Sequence, residues 1–284
     1  MSRAPFFASC IAAPVDGFAP VNILPGSAFA ITAYQLVTDA IDLVSRGSHQ
    51  TSSSYSSFHR NEIFGMESRL LQWHDALLPD WQFNMSNLTI DNGGGKVDCL
   101  STMFALYHMA NLYLARFVRY HLLPRDAADQ CVRKAHLHAK RILHITSVLC
   151  SFAQTLSEQQ RIHQMLSPVL GHAVVVAVDT LTTRTINSTE AESTLSSAED
   201  GLTILNVIGH TWAGCRVQSE KVESRLHDLR VRIHQSRVNS SRARLMGQHE
   251  WRVDAPMEPI FEADYDIVLG TDSQSYWEAL RDVG

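Results

Sequence analysis

The sequence predicts an all-α protein: a multi-helix bundle with a central apolar helix at about residues 98–123, a long heptad-patterned C-terminal helix at about 200–240, and an irregular acidic tail. Three observations carry that prediction. Between residues 98 and 124 the side chains of Met103, Phe104, Leu106, Tyr107, Met109, Ala110, Leu112, Tyr113, Leu114, Phe117 and Val118 leave no continuous polar stripe. A helix built from them must be enclosed by other helices. From Leu205 to Ile233, seam residues recur at alternating steps of three and four, the mark of a packed helical face. A chain of 284 residues, 45% of them hydrophobic, can also bury one large core without covalent staples.

Residues 1–25 carry Pro5, Pro14, Pro20 and Pro25 and read as an extended lead-in to a helical domain spanning 26–245. Ser27 is placed to cap a first helix, whose Ile31, Tyr34, Leu36, Val37, Ala40, Ile41 and Val44 form an apolar face ending near Gly47. The Ser-rich run 48–57 reads as a flexible connector. Ile63, Met66, Leu70, Trp73 and Leu77 then predict an amphipathic helix closed by Pro79, with a loop over 80–97.

Asp98 or Ser101 is expected to cap the central helix and Pro124 to end it. A membrane span needs roughly 20 apolar residues, whereas His108, Asn111, Arg116 and Arg119 interrupt this run. A further helix is predicted from Asp126 to about Phe152, with Ala128, Cys131, Ala135, Ala139, Ile142 and Leu149 inward. Residues 160–184 read as helical by context, with breaks at Pro168 and Gly171 and a β-branched run at 173–178. Residues 189–199 are polar, and the long heptad element follows from about Asp200 with the seam Leu205, Ile208, Trp212, Cys215, Ser219, Val222, Leu226, Leu229 and Ile233. Val222, Leu226, Leu229 and Ile233 are the stretch of that seam suited to a homodimer interface.

Charge is unevenly placed. The chain carries 24 Lys and Arg against 29 Asp and Glu, a net charge of -5, which argues against a surface devoted to nucleic acid. Residues 216–244 nevertheless hold eight basic and three acidic side chains, and residues 254–284 hold eight acidic and one basic. The basic stretch reads as a solvated helix face pairing with the acidic tail. Within residues 246–284, Phe261, Tyr265, Tyr276 and Trp277 lie among carboxylates in the manner of an activation segment.

Five scattered cysteines without a Cys-x-x-Cys pair fit a reducing interior. The N-terminus makes a poor signal peptide, so the chain is expected to be intracellular and its four Asn-x-Ser/Thr sequons unused.

Motifs of known chemistry are few. The glycines of residues 92–96 lack the flanking residues of a phosphate loop. Cys131, His136, His138 and His144 do not share one helix face, as zinc ligands would. His74 and Asp75 are sequence neighbours and are not expected to meet as a dyad. No nucleophile elbow, His-Glu-x-x-His or dinucleotide glycine motif occurs, so the chain is read as non-enzymatic and free of cofactors. His108 and Asn111 are the polar residues of the central helix most suited to face a ligand cavity.

Trp73-His-Asp-Ala-Leu-Leu-Pro79 and Leu106-Tyr-His-Met-Ala-Asn-Leu-Tyr-Leu-Ala-Arg116, followed by Trp212 and an Arg-rich helix, resemble in their order the fungal-specific transcription factor domain. This is the middle homology region of fungal zinc-cluster activators. Ala115 and Phe117 depart from it, since the family often has His and Pro there. The resemblance implies an all-α regulatory domain of a transcription activator in the nucleus. The function expected from it is a domain that modulates activation and senses a metabolite in its helical core, with the acidic tail recruiting the transcription machinery. The resemblance also implies that DNA and zinc are held by an N-terminal cluster of six close cysteines, which this sequence lacks. The chain is thus expected to be the C-terminal part of such a regulator, its domain incomplete at the N-terminal side. The alternative reading is a helical scaffold or dimerisation module without regulatory output.

Overall fold

The computed structural model describes residues 25–88, 95–154, 166–183, 186–243 and 252–253. Among them the helices are α1 (Pro25–Ser48), α2 (Ser52–Phe58), α3 (Phe64–Asp75), α4 (Gly95–Arg116), α5 (Arg125–Gln154), α6 (Pro168–Thr182), α7 (Ser188–Gly209) and α8 (Ala213–Ala243). A minimal antiparallel pair places Ile186 opposite Val253 and Asn187 opposite Arg252, so the architecture is an all-α bundle. α4 lies against α1, α5 and α6; α7 covers α5, and α8 closes over α6 and α7. None of the described helices is long and apolar enough to cross a membrane.

The predicted centre is the centre. Leu100, Met103, Ala105, Met109, Ala110, Leu112 and Leu114 are fully shielded in α4. Its ends differ from the sequence reading. The helix begins at Gly95, so Asp98 and Ser101 lie inside its first turns rather than at a cap. The Ser101 hydroxyl donates to the Val97 carbonyl at 2.8 Å. The Asp98 carboxylate instead accepts the Ser167 N–H at 2.9 Å and thereby holds the residue that caps α6.

The helix also stops at Arg116, well before Pro124. The Tyr120 hydroxyl donates to the Ala115 carbonyl, and the Arg119 N–H donates to the Tyr55 hydroxyl at 2.7 Å. Side chains thus occupy groups that a continuing helix would have paired.

Tyr55 also explains why the Ser-rich run is no free connector. It is 2% exposed, so part of that run folds as α2 and continues through a π-helical turn, His59–Ile63, into α3. In α1, Leu36, Val37, Ala40 and Val44 face the core as predicted, whereas Ile31 is exposed. That helix starts at Pro25, ahead of Ser27.

α6 resolves the ambiguous β-branched run as helix. Pro168 occupies its first turn, where the missing N–H costs nothing, and residues 173–178 are wholly buried. Gly171 does not break it. A Cβ there would come 3.0 Å from Cys215 Sγ and 3.3 Å from Leu205 Cδ2, so the glycine admits α7 and α8 at close range.

The single long heptad helix is replaced by two. α7 ends at Gly209, a turn carries Trp212 into solvent, and α8 begins at Ala213. A Cβ on Gly209 would sit 3.0 Å from Arg216 Cγ and 3.4 Å from its backbone nitrogen, which is how tightly the turn folds back. Ion pairs Glu199–Arg230 and Glu192–Arg237 then run antiparallel across the hairpin.

The seam residues Leu205, Ile208, Cys215, Val222, Leu226, Leu229 and Ile233 are buried, and their partners lie within this chain. The stretch Val222, Leu226, Leu229 and Ile233 therefore offers no exposed dimer face. Arg225 of α8 pairs with Asp179 of α6, and Arg230 and Arg237 pair with Glu199 and Glu192 of α7, whereas pairing with the acidic tail falls outside the described residues.

Placing Asp at Leu226 puts an unpaired carboxylate into this core. The expected result is a loss of at least about 3 kcal/mol of stability in urea unfolding, together with helical circular dichroism, rather than a folded chain of changed association state.

Candidate functional site

The polar and aromatic residues singled out on α4 converge on a corner formed with α3 and α5. Its position follows from the apolar pattern of α3, which turns Trp73 inward, and from α4 lying against α5. Trp73 stacks on Tyr107 with ring centres 5.7 Å apart and planes 25° apart. His74 stacks on the same ring at 5.1 Å and meets Phe104 edge-on at 6.0 Å. Phe83 packs on Phe104 at 5.8 Å from the following loop.

His108 and Asn111 enter this corner with internal partners. The Asn111 side-chain amide donates to the Tyr107 carbonyl at 2.9 Å, within its own helix. His108 Nδ1 lies 3.1 Å from His138 Nδ1 of α5, with ring centres 5.3 Å apart. Burial pushes the His108 imidazole well below its usual range, helped by His138, Arg141 and His74. Burial likewise lowers His138 to about 4, with Lys134 and Arg141 adding repulsion. Tyr107 is held above the usual phenol value by burial and by the Asp75 charge.

Trp73 is 8% exposed, and its indole N–H finds no acceptor among the described residues. It is the buried donor of this corner with hydrogen-bonding capacity to spare.

Chemistry expected to be separate has been partly joined. His74 and Asp75 do meet, Nδ1 to Oδ1 at 3.3 Å. Cys131 Sγ faces His59 Nε2 of the π-helical turn at 3.7 Å, and burial raises the thiol to about 11. His136 is buried, His144 exposed and His138 committed to His108, so these residues do not converge. Among the described residues, no group of three or more His, Cys, Asp and Glu could hold a metal ion.

Two grooves lie elsewhere. One of about 580 Å³ between α1 and the π-helical turn is lined by Asp39, Asp42, Arg46, Asn61, Glu62 and Arg69. Another of about 340 Å³ between α7 and α8 is lined by Glu192, Glu199, Arg230 and Arg237. Neither includes His108 or Asn111. Phe261, Tyr265, Tyr276 and Trp277 lie outside the described residues.

Sequence reasoning missed the role of His138, which stands 30 residues from His108 and carries no local signal of pairing. The stacking of Trp73 on Tyr107 likewise joins two helices and leaves no local pattern in the sequence.

The chain finds no match among protein families, curated proteins or solved structures.

Trp73 separates packing from hydrogen bonding. Trp73→Ala should cost about 3–5 kcal/mol in urea unfolding, the scale for removing a large buried aromatic. Trp73→Phe should cost clearly less, because it keeps a stacking ring and deletes a buried donor.

Proposed function

We propose that this chain is the regulatory, non-DNA-contacting domain of a fungal RNA polymerase II transcription regulator. It acts in the nucleus and modulates activation through protein partners of the transcription machinery. The observation that carries the reading is the direct packing of the two motif stretches on which the family resemblance rests. Trp73 and His74 of the first both stack on Tyr107 of the second. That contact joins the two stretches in one packed unit where α3 meets α4.

The all-α bundle agrees with the domain that the resemblance implies. In this reading DNA is contacted, and zinc held, by a separate cysteine-rich segment rather than by residues of this chain. The acidic, aromatic segment 246–284 recruits the machinery, and the helical domain governs its output. His108 and Asn111, the residues suited to face a ligand cavity, have partners within the chain. The rival scaffold or dimerisation reading loses the face it was built on, because Leu226 and Leu229 are fully shielded within the chain.

Fusion to a heterologous DNA-binding domain tests the proposal in a fungal reporter strain. A fusion carrying residues 246–284 should raise reporter expression several-fold, and a fusion of the full chain should give a different level. A silent tail, or identical output from both fusions, removes the activating or the governing half of the reading.

A further inference from the structure

The contact between His108 and His138 has a consequence for how the bundle responds to acid. Two neutral imidazoles with Nδ1 atoms 3.1 Å apart share one proton: one ring donates Nδ1–H and the other accepts on a bare Nδ1. If one ring gains a proton at its far nitrogen, the hydrogen bond survives. If both are protonated, each presents an N–H to the other, and an attractive contact becomes a repulsive one.

The surroundings supply no relief. From α5, Lys134 and Arg141 add positive charge. From α3, His74 faces the pair and is itself turned toward Asp75 at 3.3 Å. From α4, Tyr107 packs edge-on against both imidazoles, at 5.0 and 6.3 Å. The nearby carboxylate of α3, Glu67, is taken by Lys134 at 2.7 Å.

We propose that the His108–His138 pair is an acid-sensitive latch between α4 and α5. The closed bundle holds the pair with its shared proton, and full protonation of the pair loosens the corner of α3, α4 and α5.

The sign follows from linkage. Both imidazoles bind protons less readily in the closed bundle than at the ordinary value of 6.5. They therefore add stability above that pH and withdraw it as pH falls toward about 4, the value of His138. The released region includes Trp73 and Tyr107, so acid exposes the same indole donor that the closed corner hides.

Hydrogen exchange of the full chain between pH 7 and pH 4, corrected for intrinsic rates, reads this directly. Protection of residues 104–111 and 134–142 should fall at a higher pH than protection of the buried α6 run 173–178. His138→Asn should move the loss at the corner to lower pH. Arg141→Gln, at an exposed position, should move it in the same direction by less, because without that cation the closed pair's proton affinity lies nearer to that of the opened corner and acid favours opening less. It decides the matter if His138→Asn fails to fold at pH 7. Unchanged profiles in these variants overturn the proposal, as does simultaneous loss at the corner and in α6.

Discussion

One buried charge fixes the arrangement of three helices. Asp179 of α6 is 0% exposed, and its carboxylate accepts from the Arg116 guanidinium of α4 at 2.5 Å, with Arg225 of α8 3.7 Å from its other oxygen. A second Arg116 nitrogen donates to the Thr180 hydroxyl at 2.9 Å. Burial of charge is costly unless it is paired and hydrogen-bonded, so the cluster tolerates little displacement of any member. It sets where the last turn of α4 lies against α6. It also draws one arginine of the basic α8 inward while its neighbours reach the α7 acids.

Around that cluster the bundle is assembled from two helices without a wet face, α4 and α6, and from helices that cover them. The two cannot be stable alone, because each would expose apolar surface on every side. Gly171 and Gly201 let the covering helices come close. A Cβ on Gly201 would meet Val174 Cγ1 at 2.9 Å and Leu143 Cδ2 at 3.2 Å. The seam of α7 and α8 is consumed in this covering. What the α7–α8 hairpin turns to solvent is its ion-paired side.

Patterns that report burial were legible in the sequence, and patterns that report chain reversal were not. The lack of a polar stripe identified α4, and the 3–4 spacing named the buried residues of α8 correctly. That spacing cannot distinguish one long helix from an antiparallel pair, since both bury the same side chains. The break at Gly209 was therefore invisible. α2 was missed because a serine run looks like a linker until Tyr55 finds Arg119, 64 residues away. The early end of α4 likewise depends on partners from elsewhere in the chain. For the corner, composition pointed to His108 and Asn111, and the motifs contained Trp73 and Tyr107. His138 gave no sign of its pairing, since a hydrogen bond between helices 30 residues apart leaves no periodic trace.

The direct test of this architecture is a double-mutant cycle on Arg116 and Asp179, read by urea unfolding. Arg116→Met and Asp179→Leu should each cost about 3–5 kcal/mol, because each strands the other charge in the core. The double variant should cost less than the sum by at least about 1.5 kcal/mol, since it removes both. Costs that add to within about 0.5 kcal/mol would mean that the two side chains do not depend on each other, and would contradict the central place given to this ion pair.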